Sequence, residues 1–464
     1  MKEKEVKYSQ VIKRDKSASD ALREIYPEEG RAENFSREVT FQVGEGCTLN
    51  CSYCYQKDKT ADRVMSIETG KKIVDLLYRM WDENKPGAFI NKDTKMIILD
   101  FIGGEPMIYV DVMDQIVSYF WQKAIQRRHV WADTFMISIA TNGTLHFKPE
   151  VQKFIYKYKG HLSYGVSIDG PKEMHDACRV YHDGRGSFDD AYAAQEDYNK
   201  HFQAPSGTKA TIARANLPYL STLIKYYVKQ GYQQIHANYV YEEQWNNEDA
   251  LLLYNQMNEI SDYILGLDFP VELSLFDDRY FTPMDEDDNK NWCGGTGAMV
   301  AFDPVGKAYP CIRYMDSSLA GDMPGLVIGD TDGIWDERYK DVTDAMNAVT
   351  RRSQSTDECF YCPIASGCSW CSGWNYQSEG SFNKRSTRIC PMHKARSLAC
   401  VKHFNKLYLK NGDKKTFHRY LPDEEALKII SQEELDILND LEEQTKKLAP
   451  EDYDQRDYRF CSSC

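Results

Sequence analysis

The chain of 464 residues contains no apolar run long enough to cross a bilayer. Its first residues, Met-Lys-Glu-Lys-Glu-Val-Lys, lack the apolar core of a signal peptide. Together these absences place the protein in the cytoplasm. A basic surplus is missing too: the formal net charge is −14, which argues against general binding to nucleic acid or to anionic membranes. No internal repeat or low-complexity segment interrupts the sequence. What remains is a soluble globular composition, 42% apolar and 28% charged, in a chain long enough for two or three domains and a sizeable core. The 31 tyrosines are explained by packing.

Cysteine is the residue present in excess. Fourteen cysteines in a cytosolic chain point to metal ligation rather than to disulfides. Three of them, Cys47, Cys51 and Cys54, follow one another as C-x3-C-x2-C. An iron–sulfur cube takes four ligands, so three thiolates leave one iron open to another molecule. A zinc site would close with a fourth Cys or His nearby, and none follows in this loop. Three small buried residues under a helix would be the ordinary alternative.

From Glu38 to about Leu267, short apolar runs alternate with amphipathic stretches, the pattern of βα units and a parallel sheet. Strands are expected at Val39–Val43, Met96–Ile102, Phe135–Ala140, Tyr164–Ile168, Ala210–Ala213 and Ile235–Val240. Their continuous apolar character suits burial on both faces. The first helix carries Ile73, Leu76, Leu77, Met80 and Trp81 at helical spacing, with Ser66 as its N-cap. A short helix is expected around Ala18–Tyr26, a linker or solvated loop at Met284–Asp288, and a further helix at Glu433–Lys447.

The cysteine loop, with the aromatic Tyr53 just before its third cysteine, resembles the signature of the radical S-adenosylmethionine (radical SAM) enzymes. That resemblance implies a 4Fe–4S cluster on Cys47, Cys51 and Cys54 whose open iron chelates the methionine part of SAM. One electron then cleaves SAM to a 5′-deoxyadenosyl radical that abstracts a substrate hydrogen. It also implies an α/β fold, a partial (β/α)6 TIM-type barrel, with chemistry at the C-terminal ends of the strands. Gly103-Gly104-Glu105-Pro106, after the second strand, resembles the family's GGEP motif, which holds the SAM amino group. Two glycines permit close backbone approach, and the carboxylate accepts from an ammonium. Thr141 and Asn142, after the third strand, and Ser167, after the fourth, match positions near the ribose. Arg179 matches the ligand of the SAM carboxylate, a role suited to a guanidinium fork. His175 and Asp176 read as caps or surface polar groups, and Cys178 as a small buried residue.

A second series, Cys293, Cys311, Cys359, Cys362, Cys368, Cys371 and Cys390, resembles the SPASM domain of peptide and protein maturases. The C-x2-C pairs alone would also suit zinc. The resemblance implies two auxiliary 4Fe–4S clusters, three clusters in all: one on Cys359, Cys362, Cys368 and Cys390, the other on Cys293, Cys311 and Cys371. Two residues separate Cys368 from Cys371 where the family pattern has three, and the nearer cluster lacks a fourth cysteine. That iron is open for a substrate thiolate, or Cys400, Cys461 or Cys464 completes the site.

The expected organisation is an extension (1–37), the radical SAM barrel (38–270), the SPASM region (271–400) and a helical tail (401–464) ending in C-x2-C. The function implied is maturation of a ribosomally made, cysteine-containing precursor peptide through thioether crosslinks, with an electron donor such as flavodoxin or ferredoxin. Two other readings are anaerobic sulfatase maturation, which makes formylglycine, and carbon–carbon crosslinking. Ile312 stands against the former, because the resembling enzymes carry a proton-accepting Asp after that cysteine. A non-enzymatic electron carrier would not need the glycine-rich pocket.

Overall fold

A computed structural model describes residues 36–57, 59–202, 209–289 and 299–449. The expected helix near Ala18–Tyr26 lies outside the described residues, as do Cys293, Cys461 and Cys464. Four strands, β1 (Ser36–Gly44), β2 (Met96–Gly103), β3 (Phe135–Thr141) and β4 (Leu162–Val166), pair in parallel in chain order. A second parallel sheet contains β5 (Lys209–Ile212), β6 (Gln234–Tyr239) and β7 (Glu272–Leu273). Helices α1 (Ile67–Glu83), α2 (Val110–Gln126), α3 (Pro149–Tyr158), α4 (Lys172–Cys178), α5 (Phe188–Phe202), α6 (Leu220–Lys229) and α7 (Asn247–Leu265) fall between and after them.

The apolar pattern explains the layers. In β1, Val39, Phe41 and Val43 are fully buried, and so are the intervening Thr40 and Gln42, so both faces are covered. Phe41 stacks on Phe101 of the neighbouring strand with ring centroids 5.3 Å apart. Ser66 caps α1 by accepting from the Thr69 amide at 3.0 Å, and Ile73, Leu76 and Leu77 form its buried stripe.

All six expected strands are present, and β4 ends two residues early. Ser167 N still donates to Thr141 O at 2.8 Å, and the chain then turns at Gly170, whose φ of +126° other residues rarely adopt. The ladder also stops between β4 and β5, where two hydrophobic cores meet. Tyr227 of α6 crosses that seam to donate its hydroxyl to the Ile168 carbonyl.

The cysteine-rich region extends the first sheet. Strand β8 (Met299–Phe302) pairs in parallel with β1, and β9 (Ala308–Tyr309), β10 (Gly329–Asp330) and β11 (Gly333–Ile334) continue it in antiparallel order. Helices α8 (Ser372–Glu379), α9 (Cys390–Asn411) and α10 (Gln432–Leu448) follow. Helix α9 runs through the expected boundary after residue 400 and joins the second core. There Ser261 of α7 meets His403 at 2.9 Å, and Tyr254 donates to Glu434 of α10 at 2.8 Å. Among the described residues no helix is long and apolar enough to cross a membrane.

Met284–Asp288, expected as a solvated loop, is anchored by an arginine. Arg351, 1% exposed, donates to the carbonyls of Asp285, Asp288 and Phe360 at 2.7, 2.7 and 2.8 Å, and lies 4.0 Å over the Phe360 ring. Replacing Arg351 by Met takes the donor from the carbonyls of Asp288 and Phe360, while Asp285 O keeps the Asp288 amide. The expected loss is about 2 kcal/mol or more, since each unpaired group costs ~1–3 kcal/mol. Thermal unfolding monitored by tryptophan fluorescence reads it as a clear fall in melting temperature, partly recovered in Arg351→Lys.

Candidate functional site

The strand ends β1 to β4 bring their loops together on one side of the sheet. The β1 and β2 loops touch backbone to backbone: Gly104 N donates to Gly44 O at 3.1 Å, and Glu105 N to Gly46 O at 2.8 Å. A Cβ on Gly103 or Gly104 would collide with the carbonyl oxygens of Gly44 or Gly46. The glycine pair therefore admits the protein's own cysteine loop. Tyr109 supports that loop from below, its hydroxyl accepting from Gly46 N at 2.9 Å.

The cysteine loop is closed at both ends. Glu45, 1% exposed, accepts from the amide and hydroxyl of Thr60 at 2.9 and 3.0 Å and pairs with Arg63 at 3.0 Å. Along its length the loop pairs with the segment after α4: Ser52 N donates to Cys178 O at 3.0 Å, and Asn50 N to Val180 O at 2.7 Å. Cys178 itself is buried.

Polar hydrogens converge on the sulfurs. Leu49 N lies 3.4 Å from Cys47 Sγ, Asn142 Nδ2 3.9 Å from the same atom, and Lys59 Nζ 3.3 Å from Cys54 Sγ. Burial pushes the Cys47 thiol up and the Cys51 thiol to about 11, so neutral solution favours thiols unless a metal takes the charge. Among the described residues no group of three ligands is spaced for a single metal ion. The donor set fits an anionic iron–sulfur cluster.

Beside the loop, Glu105 is buried and joins strand ends. It accepts from Met107 N at 3.1 Å, Thr141 Oγ1 at 2.6 Å and Asn142 N at 2.8 Å. A carboxylate offers about four acceptor positions, which leaves one for an incoming donor. Asn142 also donates to Thr48 Oγ1 at 2.9 Å. Ser167 is tied through its amide to Thr141 O at 2.8 Å.

Arg179 donates through Nε to the fully buried Asp169 at 2.8 Å and lies 5.4 Å over the Tyr53 ring. Tyr53 donates its hydroxyl to the same Asp169 oxygen. Asp169 stands inside the Ser-Ile-Asp-Gly-Pro run, yet its sequence context gave no sign that it would brace both Tyr53 and Arg179. His175 is buried rather than superficial: Asp169 N donates to its Nδ1 at 3.3 Å, and Nε2 meets Ser187 Oγ at 3.0 Å. Burial lowers its pKa to about 4, so the ring is neutral. Asp176 accepts from Phe188 N at 2.9 Å.

Within the second series one set of four lies together. Cys359, Cys362, Cys368 and Cys390 lie within electrostatic reach of one another, and burial pushes Cys368 up to about 12. Cys371 caps α8, its sulfur accepting from Trp374 N at 3.4 Å. Cys400 faces away, with its thiol 3.5 Å from Leu275 O in the second core.

A salt bridge joins this region to the barrel. Arg313, two residues after Cys311, pairs with Glu242, just beyond β6, at 2.6 Å. Its guanidinium lies 5.0 Å over Tyr55, the residue after Cys54. Nothing in the sequence pattern pairs positions 55, 242 and 313.

Residues 36–185 match the 4Fe-4S single cluster domain family, Fer4_12. An uncharacterized protein of Methanocaldococcus jannaschii is 28% identical over 199 residues, 43% of this chain and 61% of that protein. A serine-type anaerobic sulfatase-maturating enzyme of Bacteroides thetaiotaomicron is 30% identical over 153 residues, 32% of each chain. Mycofactocin maturase of Mycolicibacterium smegmatis is 23% identical over 353 residues, 71% of this chain and 76% of the maturase. The match thus spans less than two thirds of the first two relatives. In fold, the anaerobic sulfatase-maturating enzyme anSMEcpe, solved with bound AdoMet, aligns with TM-score 0.59 at 17% identity, covering 85% of this chain and 98% of its own. SuiB of Streptococcus suis, solved with its precursor peptide SuiA, aligns with TM-score 0.50 at 14% identity over 76% of each chain. With the cysteine loop at the end of β1 and the cysteine-rich region laid against it, the chain carries a 4Fe-4S single cluster domain over residues 36–185 and is similar, over parts of its length, to sulfatase-maturating enzymes and to mycofactocin maturase, with a fold like that of anSMEcpe and SuiB.

Proposed function

We propose that this protein is a peptide maturase that removes a hydrogen from a peptide carbon and joins that carbon to a cysteine sulfur. The product is a thioether crosslink in a ribosomally made, cysteine-containing precursor. The observation that carries the reading is the Arg313 contact: the helical turn after Cys311 reaches Tyr55 beside the cysteine loop. A peptide entering there meets both cysteine regions at once, and proximity of that kind is what carbon–sulfur coupling needs.

In this reading Cys47, Cys51 and Cys54 hold a 4Fe–4S cluster. Cys359, Cys362, Cys368 and Cys390 hold a second, and Cys293, Cys311 and Cys371 a third. When bound, the first cluster and SAM supply a carbon-centred radical able to take hydrogen from an unactivated C–H bond. The protein's part is positioning. The remaining lone pair of Glu105 receives the SAM ammonium, and the rest of the Arg179 fork receives its carboxylate. Asp169 and Tyr53 fix the plane of that fork, while Thr141, Asn142 and Ser167 border the ribose. Each crosslink would pass one C–H hydrogen atom to the 5′-deoxyadenosyl radical and one S–H proton to solvent, and the electron left over when the C–S bond forms would go to an auxiliary cluster. The peptide-bound SuiB structure supports a peptide substrate. An electron donor of the flavodoxin or ferredoxin type supplies the reducing electron.

Sulfatase maturation is the second reading, favoured by the likeness to the Bacteroides enzyme. Ile312 supplies no proton acceptor there, but Glu242 stands at the same mouth beside Arg313.

Replacing Arg179 by Met removes a charge-assisted hydrogen bond worth ~1.5–3 kcal/mol, so SAM binding measured by equilibrium dialysis is expected to weaken about 10- to 100-fold. Product identity is read by mass spectrometry after anaerobic co-expression with a cysteine-rich peptide encoded beside the gene. Loss of two hydrogens per cysteine, with that thiol resistant to alkylation, is the expected result. Loss of two hydrogens with every thiol alkylatable marks carbon–carbon coupling. An unmodified peptide, alongside formylglycine in a sulfatase-derived peptide, marks the second reading. Cys311→Ala is expected to abolish crosslinking while SAM cleavage persists.

A further inference from the structure

One half-buried cation in the cysteine-rich region carries buried donors with no partner among the described residues. The Nε and Nη2 atoms of Arg385 are inaccessible to solvent and donate to nothing among the described residues. The guanidinium is held 3.9 Å over the Trp370 ring, and its charge reaches Cys362 and Cys368. The other cation near these thiols is Lys394, which is already paired with Glu425 at 2.6 Å. Buried N–H donors left without an acceptor are costly. Four thiolates outweigh the positive iron–sulfur core, so a cluster on Cys359, Cys362, Cys368 and Cys390 is a net anion and becomes more so on reduction.

We propose that Arg385 is a potential-setting residue whose fixed charge, oriented by Trp370, favours the reduced form of the cluster on Cys359, Cys362, Cys368 and Cys390. The inference rests on the reading that these four cysteines hold an iron–sulfur cluster. Reduction adds one electron and no proton. Arg385 keeps its charge throughout and offers unused N–H groups to sulfur, both of which raise a cluster's potential.

The test uses the full-length, reconstituted protein in a redox titration with dithionite followed by electron paramagnetic resonance. Cys368→Ala first identifies which signal and which iron belong to this set. Arg385→Met is then expected to shift that midpoint to a more negative potential and to leave the other signals unmoved, whereas Arg385→Lys stays near the wild-type value. A fully loaded methionine variant with an unchanged midpoint overturns the proposal, as does a lysine variant that falls with it. If the methionine variant fails to take up this iron while the lysine variant loads, the need for a cation is upheld. Equal loss in both assigns Arg385 to packing and overturns it. Zinc in place of iron at these cysteines overturns the cluster reading itself, and metal analysis of the wild-type protein separates that failure from the others.

Discussion

Glu105 joins three strand ends through one residue. Its amide holds the cysteine loop after β1, its own backbone continues β2, and its buried carboxylate takes the hydroxyl of Thr141 and the amide of Asn142 after β3. Three donors on this buried carboxylate offset part of its desolvation, and burial still holds the carboxyl above the usual range. The cost of losing one is large because the rest of the charge would then stand unpaired. Glycine at 103 and 104 is the steric condition for this junction, since the loops meet through their main chains. Much of the site's rigidity therefore comes from hydrogen bonds made before any ligand arrives.

The parts that could be read from sequence were those governed by short-range rules. Buried parallel strands announce themselves as apolar runs, so all six were found, with β4 displaced two residues toward the N-terminus. Ser66 was recognisable as a cap from its place before an apolar stripe. Three closely spaced cysteines and a glycine pair after a strand carry their chemistry in spacing alone. Arg313–Glu242, Arg351 and Arg385 carry none. Each acts on groups tens of residues away in sequence, and an arginine in a polar stretch reads as surface until the fold encloses it. The two-residue strands β9 to β11 were equally silent, being too short to show alternation.

Cations near the cysteines are held in two ways, by carboxylates and by aromatic rings. Around the first cysteine loop, charge is balanced by short carboxylate contacts: Glu45 with Arg63, and Asp169 with Arg179. In the cysteine-rich region guanidinium groups lie on aromatic faces, Arg351 on Phe360 and Arg385 on Trp370. A ring accepts a cation without adding a negative charge, which leaves the positive field available to whatever anion the thiols hold.

Strand β1 is hydrogen bonded on one side to β2 and on the other to β8, so the strand that launches the cysteine loop has no free edge. Swinging the cysteine-rich region away from the barrel would mean unzipping a main-chain ladder. Among the described residues no such ladder joins β4 to β5, and side-chain contacts such as Tyr227 to Ile168 span the gap. The main-chain ladder on both sides of β1 thus ties the first strands of the cysteine-rich region to the strand that carries the cysteine loop.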